Sequence, residues 1–354
     1  MALVLNGSGI TSANIADGTI VNADINSSAA IDGSKLTGID AATVSATAPN
    51  NPAQGDMWFD TTTGNTAMKV WSGSAWDQMS NKFSAIGGTE STYTSGGTNY
   101  RVHTFTSSGT FTAEASGSVD VLVVAGGGGA GTSNGAAGGG AGGFLSSTAS
   151  LSAQGYSITV GAGGAHTGGS RTTRAGNGGN STALGLTAIG GGASGSETHG
   201  IMYGSSGGSG GGAVRSTTEF GGAGTSGQGY AGGNNVNDGA PYYAGGGGGG
   251  AGAAGTNGSA SYLGNGGNGL QNSYRTGSNI YYAGGGASGG YHDGGDPGKF
   301  GTAGLGGGGE GGNYRSQAEL DGDVNTGGGG GGHGNYHVAS GSGGSGIVVI
   351  RYAV

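Results

Sequence analysis

The chain has no cysteine, only 4 prolines, and few charged residues, with 11 Lys and Arg against 19 Asp and Glu for a net charge of -8. Without cysteine there are no disulfides and no thiolate metal sites. With so little proline and no glycine strictly at every third position, a collagen triple helix is excluded. The bases are nowhere gathered into a stripe, so no nucleic-acid partner is expected. No stretch approaches the roughly 18 apolar residues of a membrane span, so no membrane insertion is expected. Residues 1–10 lack the charged-then-apolar order of a secretory leader, which implies release from the cytoplasm of synthesis by lysis.

What is abundant is glycine, 96 of 354 residues. Glycine loses the most backbone entropy on ordering, so such a chain is either disordered or held by a repetitive backbone lattice. Disorder usually accompanies high charge and few aromatics. Here only 8% of residues are charged, and 15 Tyr and 3 Trp are present, which favours order.

Three zones follow. In residues 1–44, Ile10, Ile15, Ile20 and Ile25 recur every five residues, and Ile31 and Leu36 continue the series after a slip. Five matches neither a helix nor a strand. It reads as a fibrous repeat whose isoleucines three chains would bury along a shared axis, an anchor or stalk of a homotrimer, with a flexible tether as the alternative. Residues 45–82 hold short strands divided by Thr-Gly-Asn and Ser-Gly-Ser turns. Trp58, Trp71 and Trp76 are expected to cover one face of this small sheet rather than stack on sugars.

Residues 83–354 form the third zone. The β-branched stretches at 100–106, 110–112, 119–124, 156–160 and 347–352 predict a β scaffold (100–160 and 346–354) whose last strand returns beside an early one. Between them lie the oligoglycine runs 126–129, 138–140, 190–192, 210–212, 245–250, 284–286, 306–309 and 327–332. Ordinary sheet needs side chains between layers. A polyglycine II bundle does not, because extended three-residue-per-turn helices satisfy one another's N–H and C=O groups. Such a bundle is expected over 161–345, with bulky loops between rods. Tyr242-Tyr243-Ala244-Gly245-Gly246-Gly247 recurs as Tyr281-Tyr282-Ala283-Gly284-Gly285-Gly286, which marks those tyrosines as structural. The fold class is therefore mainly β and irregular, an elongated fibre with little α-helix.

The blocks Gly109-Thr110-Phe111-Thr112, Val121-Leu122-Val123-Val124-Ala125-Gly126-Gly127-Gly128-Gly129, Tyr156-Ser157-Ile158-Thr159-Val160-Gly161 and Gly346-Ile347-Val348-Val349-Ile350-Arg351-Tyr352 resemble the glycine-rich domain of bacteriophage tail fibres. Gly55-Asp56-Met57-Trp58-Phe59-Asp60 is similar to a small module of phage tail proteins, and Ile15-Ala16-Asp17-Gly18-Thr19-Ile20 to fibre-stalk repeats. The resemblance implies a virion component with anchor, stalk and adhesin tip. Its amino terminus would meet other tail or baseplate proteins, and its loops would meet a bacterial surface receptor, either a polysaccharide or an outer-membrane protein.

The bulky connectors are 198–203, 214–220, 234–243, 270–282, 291–300 and 313–326. Tyrosine and arginine dominate recognition hot spots, so the receptor-binding residues expected are Tyr203, Tyr274, Arg275, Tyr291, His292, Phe300, Tyr314 and Arg315. Two other readings remain, a purely structural tail or baseplate component and an ice-binding bundle. No cofactor and no metal are expected. His333 and His337 lack a helix to align them, and Asp321-Gly322-Asp323-Val324-Asn325 lacks the later calcium ligands. No catalysis is expected either, since Glu310, Glu319, Asp321 and Asp323 suggest a hydrolytic carboxylate pair by composition alone.

Overall fold

A computed structural model of the chain describes residues 42–354 apart from 64–65, 80–81, 169, 171, 198–200, 215–218, 236–241, 260–261, 293–300, 313–319 and 336. The isoleucine repeat lies outside the described residues. The chain divides into two units, Met1–Ser80 and Asn81–Val354, and the described residues contain strands and no helix.

The first unit is a four-stranded sheet of β1 (Thr43–Ser45), β2 (Met57–Asp60), β3 (Ala67–Trp71) and β4 (Trp76–Gln78), in that spatial order. Only the β1–β2 pairing is parallel. The three tryptophans share a face: Trp76 lies 5.5 Å from both Trp58 and Trp71, and Trp58 is buried. Lys69 sits over the Trp58 ring and bonds Asp60 at 2.8 Å. That bond, with the Thr62 hydroxyl and amide, holds the Asp60 carboxyl down at about 2.

The second unit is built on two facing sheets. One comprises β5 (Ala85–Ile86), β8 (Gly109–Ala113) and β11 (Gln154–Ile158), in the order β11-β8-β5. The other comprises β6 (Thr89–Ser95), β7 (Thr98–Phe105), β9 (Gly117–Val124), β10 (Phe144–Leu151) and β18 (Ile347–Ala353), in the antiparallel order β10-β9-β18-β7-β6. The last strand thus inserts between two early ones, so the glycine-rich chain leaves the scaffold and is closed back into it.

Alternation along the five-stranded sheet sends side chains to two cores. Val119, Val121, Val123, Val348, Ile350 and Tyr352 meet Phe111 and Ile158 of the smaller sheet. Leu122, Val124, Ile347 and Val349 face the other way, onto Ala141, Ala251, Tyr282 and Ala283 of the glycine-rich segments. Burial on both faces is why these strands read as unbroken apolar runs.

The scaffold is larger than the span drawn from sequence, and its border runs differently. The hairpin β12 (Ser181–Ala183) and β13 (Leu186–Ala188) lies within 161–345 yet sends Ala183 and Ala188 into the first core. Residues 125–143, within 100–160, belong to the glycine lattice. The hairpin was not legible, because a three-residue strand such as Ser-Thr-Ala lacks a long apolar run to mark it, whereas the glycine runs at 126–129 and 138–140 were read and only the border was drawn past them.

Through the glycine segments the hydrogen bonds rotate. The N–H groups of Gly138, Gly139 and Gly140 go to Gly246, Gly330 and Gly192, on three different segments. Those of Ala141, Gly142 and Gly143 return to the same three, at Gly249, Gly327 and Ile189. Each neighbour is therefore met every third residue, the first running parallel and the other two antiparallel. A Cβ on Gly139 would sit on the carbonyl oxygen of Gly128, so no larger residue fits there without moving the backbone. Short strands interrupt the lattice: β14 (Tyr242–Ala244) pairs with β17 (Gly290–His292), and β15 (Leu270–Asn272) with β16 (Ile280–Tyr282).

At the first core His103 is fully enclosed. Its Nδ1–H donates to Gly87 O at 2.7 Å, and its Nε2 faces the Tyr352 hydroxyl at 3.4 Å. Burial pushes the imidazole below its ordinary value, against the pull of the Gly87 carbonyl and of Glu90.

Two predictions follow from this packing. Gly139→Ala should destabilise the second unit by about 2 kcal/mol or more, whereas Gly155→Ala, where the nearest atom is Thr110 Cγ2 at 3.4 Å, should leave the urea midpoint almost unchanged. His103 is held neutral in the folded chain, so the unfolded chain takes up its proton first. Its contribution to stability is complete above about pH 6.5 and is lost as pH falls from there through the lowered folded value. The drop in urea midpoint between pH 8 and pH 5 should therefore shrink in His103→Gln.

Candidate functional site

The register of the bonds divides the glycine lattice into two ends. At the sandwich end, Gly143 and Phe144 donate to Ile189 and Gln228, Ala251 to Ala283, and Gly346 to Gly161. At the far end, Val214 donates to Met202, Gly204 to Phe220, Gly258 to Asn234, Gly289 to Ala136 and Gly312 to Gly332. At the sandwich end the turns at 225–228 and 251–253 are short, and a longer connector, β15 and β16 with the turn between them, spans 270–282. The described residues flanking 198–200, 215–218, 236–241, 260–261, 293–300 and 313–319 all belong to the far end.

Of the eight residues expected to bind a receptor, Tyr203 is at the far end with its ring 47% exposed. Arg174 fixes it: the guanidinium carbon stands 4.2 Å from the ring centre, and Nη1 donates to Tyr203 O at 2.9 Å and to Ser205 Oγ at 2.7 Å. A guanidinium over an aromatic face is attractive, and it leaves a rigid tyrosine presented to solvent. Tyr291 and His292 lie in β17, opposite Tyr243 and Tyr242, also at the far end. Phe300, Tyr314 and Arg315 lie outside the described residues.

Tyr274 and Arg275 are at the other end. They occupy the turn between β15 and β16, which folds back on the five-stranded sheet. Arg351 of β18 lies 4.1 Å from the Tyr274 ring and 4.5 Å from Tyr100, and bonds Asp120 at 3.0 Å and the Tyr93 hydroxyl at 2.6 Å. Burial raises the Tyr274 phenol above its usual value, and the nearby Asp120 adds to this. Arg275 is exposed. The chosen residues thus form no single patch.

Sequence reasoning overlooked Arg174, Phe220 and Tyr262. The last two are far-end aromatics, 68% and 73% exposed. The available signal was a bulky aromatic at the border of a glycine segment, as in Phe220-Gly221-Gly222 and Tyr262-Leu263-Gly264. His333 is buried, with Nδ1 accepting the Asn335 N–H at 3.0 Å, and His337 is exposed. Asp321 accepts the Ser342 N–H, and Glu310 the Ala303 N–H. Among the described residues no three His, Asp or Glu side chains are grouped to hold a metal ion, and no helix is long and apolar enough to cross a membrane.

The sequence model of the glycine-rich domain matches residues 104–353, most of the chain, from within β7 to within β18. The chain belongs to the glycine-rich domain family. A comparison with curated proteins finds no match. The match takes in the lattice and most of the scaffold, leaving out β5, β6 and the first six residues of β7. Shortening Tyr274 to Ala should strip Arg351 of one aromatic wall. We expect a loss of about 1–2 kcal/mol in the stability of the domain by urea unfolding, with the far-end residues undisturbed.

Proposed function

We propose that this glycine-rich domain is the receptor-binding part of a bacteriophage tail fibre, a polyglycine II bundle whose far-end loops attach the virion to a bacterial surface. The observation that carries this reading is the asymmetry of the connectors. The turns at 225–228 and 251–253 of the sandwich end are short, and the one bulky connector described there, between β15 and β16, is pinned to the sheet through Tyr274 and Arg351, while Tyr203, Phe220 and Tyr262 are exposed at the far end, where β17 also lies. The three-residue rotation of hydrogen bonds supports the polyglycine II assignment, because that helix repeats every three residues. The isoleucine repeat of residues 1–44 serves attachment to other tail proteins, in a homotrimer. Several copies per particle raise avidity even where each contact is weak. Extending the contact surface to Tyr274 and Arg275 requires a second patch at the sandwich end.

The purified chain should bind cells of a susceptible bacterium saturably. Combined Tyr203→Ala, Tyr291→Ala and His292→Ala substitutions should cut that binding at least about tenfold, with the folded state retained by circular dichroism. Undiminished binding in the triple variant, or binding to no strain of a broad panel, overturns the reading.

A further inference from the structure

At the sandwich end, between the turn at 225–228 and the start of β15, lies a cavity of about 640 Å³. Its size falls within the range of small-ligand sites. One side is formed by Tyr230, 52% exposed, and another by Leu270, 41% exposed, with buried Ala251 below. Ser226 and Gln228 supply polar groups at the edge. Elsewhere the wall is glycine with Ala223 and Ala231, and presents backbone, Cα hydrogens and two methyl groups. No Asp, Glu, Lys, Arg or His is among the described residues lining it.

The polar edge is fixed in advance. Gln228 Oε1 accepts the Ile189 N–H at 2.8 Å, and Nε2 donates to Thr187 O at 3.1 Å, which uses one of its two amide hydrogens. The N–H groups of Gln228 and Gly229 both go to Thr225 O, and the Thr225 hydroxyl donates to Gly207 O at 2.8 Å. A ligand therefore meets a site that has already paid its ordering entropy.

We propose that this cavity is a subsite for one neutral pyranose unit of a polysaccharide. A sugar ring has an apolar C–H face and a rim of hydroxyls. The Tyr230 ring, Leu270 and the glycine and alanine wall match the face, and the Ser226 hydroxyl matches the rim. A uronic or sialic acid would bring a carboxylate that meets no counter-charge in the lining. The assignment does not rest on the adhesin reading, because the cavity is remote from the far-end loops and the test reads sugar binding rather than cell binding.

The test is saturation-transfer NMR and titration of the full chain with neutral gluco-, galacto- and manno-oligosaccharides, with uronic-acid oligosaccharides in parallel. At least one neutral series should bind saturably, with an affinity of about millimolar. Tyr230→Ala should weaken it about tenfold, and Ser226→Trp, which fills the space, should abolish it. Both side chains are exposed, and an unchanged thermal midpoint will confirm that the fold is intact. Failure of every neutral series, equal binding of the acidic ones, a peptide competing for the site in their place, or binding that survives both substitutions overturns the proposal.

Discussion

Everything in the second unit depends on the absence of a Cβ where one backbone passes another. Buried N–H and C=O groups must be paired, and between glycine segments the partner is another segment's backbone, because no sheet or helix supplies it. Close approach makes the pairing possible, and a methyl group on Gly139 or Gly142 would occupy the position of a neighbouring carbonyl. The constraint also explains how the lattice ends sideways. Exposed Asn177 and Asn180 accept the N–H groups of Ala193 and Gly190, and exposed Asn265 and Asn268 those of Thr302 and Leu305. An asparagine carbonyl at every third residue stands in for the neighbouring segment that the rim lacks.

The lattice has few large apolar side chains of its own with which to choose an orientation, so the scaffold chooses it. Leu122, Val124, Ile347 and Val349 need cover, and the segments provide it with Ala141, Ala251, Ala283 and Tyr282 at their sandwich ends. Alanine rather than glycine stands there, because at the boundary with a sheet a methyl group fills space that a third backbone would otherwise occupy. Hydrophobic burial therefore fixes one end of the lattice, and hydrogen bonding carries order away from it. Arg351, held between Tyr100 and Tyr274, ties the β15–β16 turn down on the same face.

Much of this was legible in the sequence, for definite reasons. Val119–Val124 and 347–352 read as strands because two-sided burial writes itself as an apolar run. The tryptophan sheet read correctly from its turns. The Asn-Gly-Gly-Asn spacing at 177–180 and 265–268 was visible and passed over, although its period of three matches the rotation of the bonds. The doubled Tyr-Tyr-Ala-Gly-Gly-Gly block reads as structural, and Tyr243 and Tyr282 both lie in paired strands, but its two copies do not stand in the same place. The segment after Tyr243 runs from the far end to the sandwich and the segment after Tyr282 runs away from it. Tyr282 is 1% exposed in the second core, while Tyr243 is half-buried in a far-end strand. Composition cannot say at which end a connector emerges, since each reversal flips the answer and a missed short turn flips every one after it. Tyr274 and Arg275 were grouped with Tyr203 for that reason.

The two ends face different physical demands, and that difference bears on the adhesive reading. A connector at the sandwich end must fit a packed apolar surface, so its length and side chains are limited by what Val124, Ile347 and Phe144 leave uncovered. A far-end connector has only to begin and end at the correct lattice positions, because the last rotated hydrogen bonds there, such as Val214 to Met202 and Gly312 to Gly332, are complete before the chain departs. Loop closure entropy grows only slowly with length, so residues can be added or exchanged beyond those bonds at little cost to the lattice beneath. Recognition that must change without refolding the protein is best placed where the supporting bonds are mainly backbone, since these are indifferent to which side chains the loops carry.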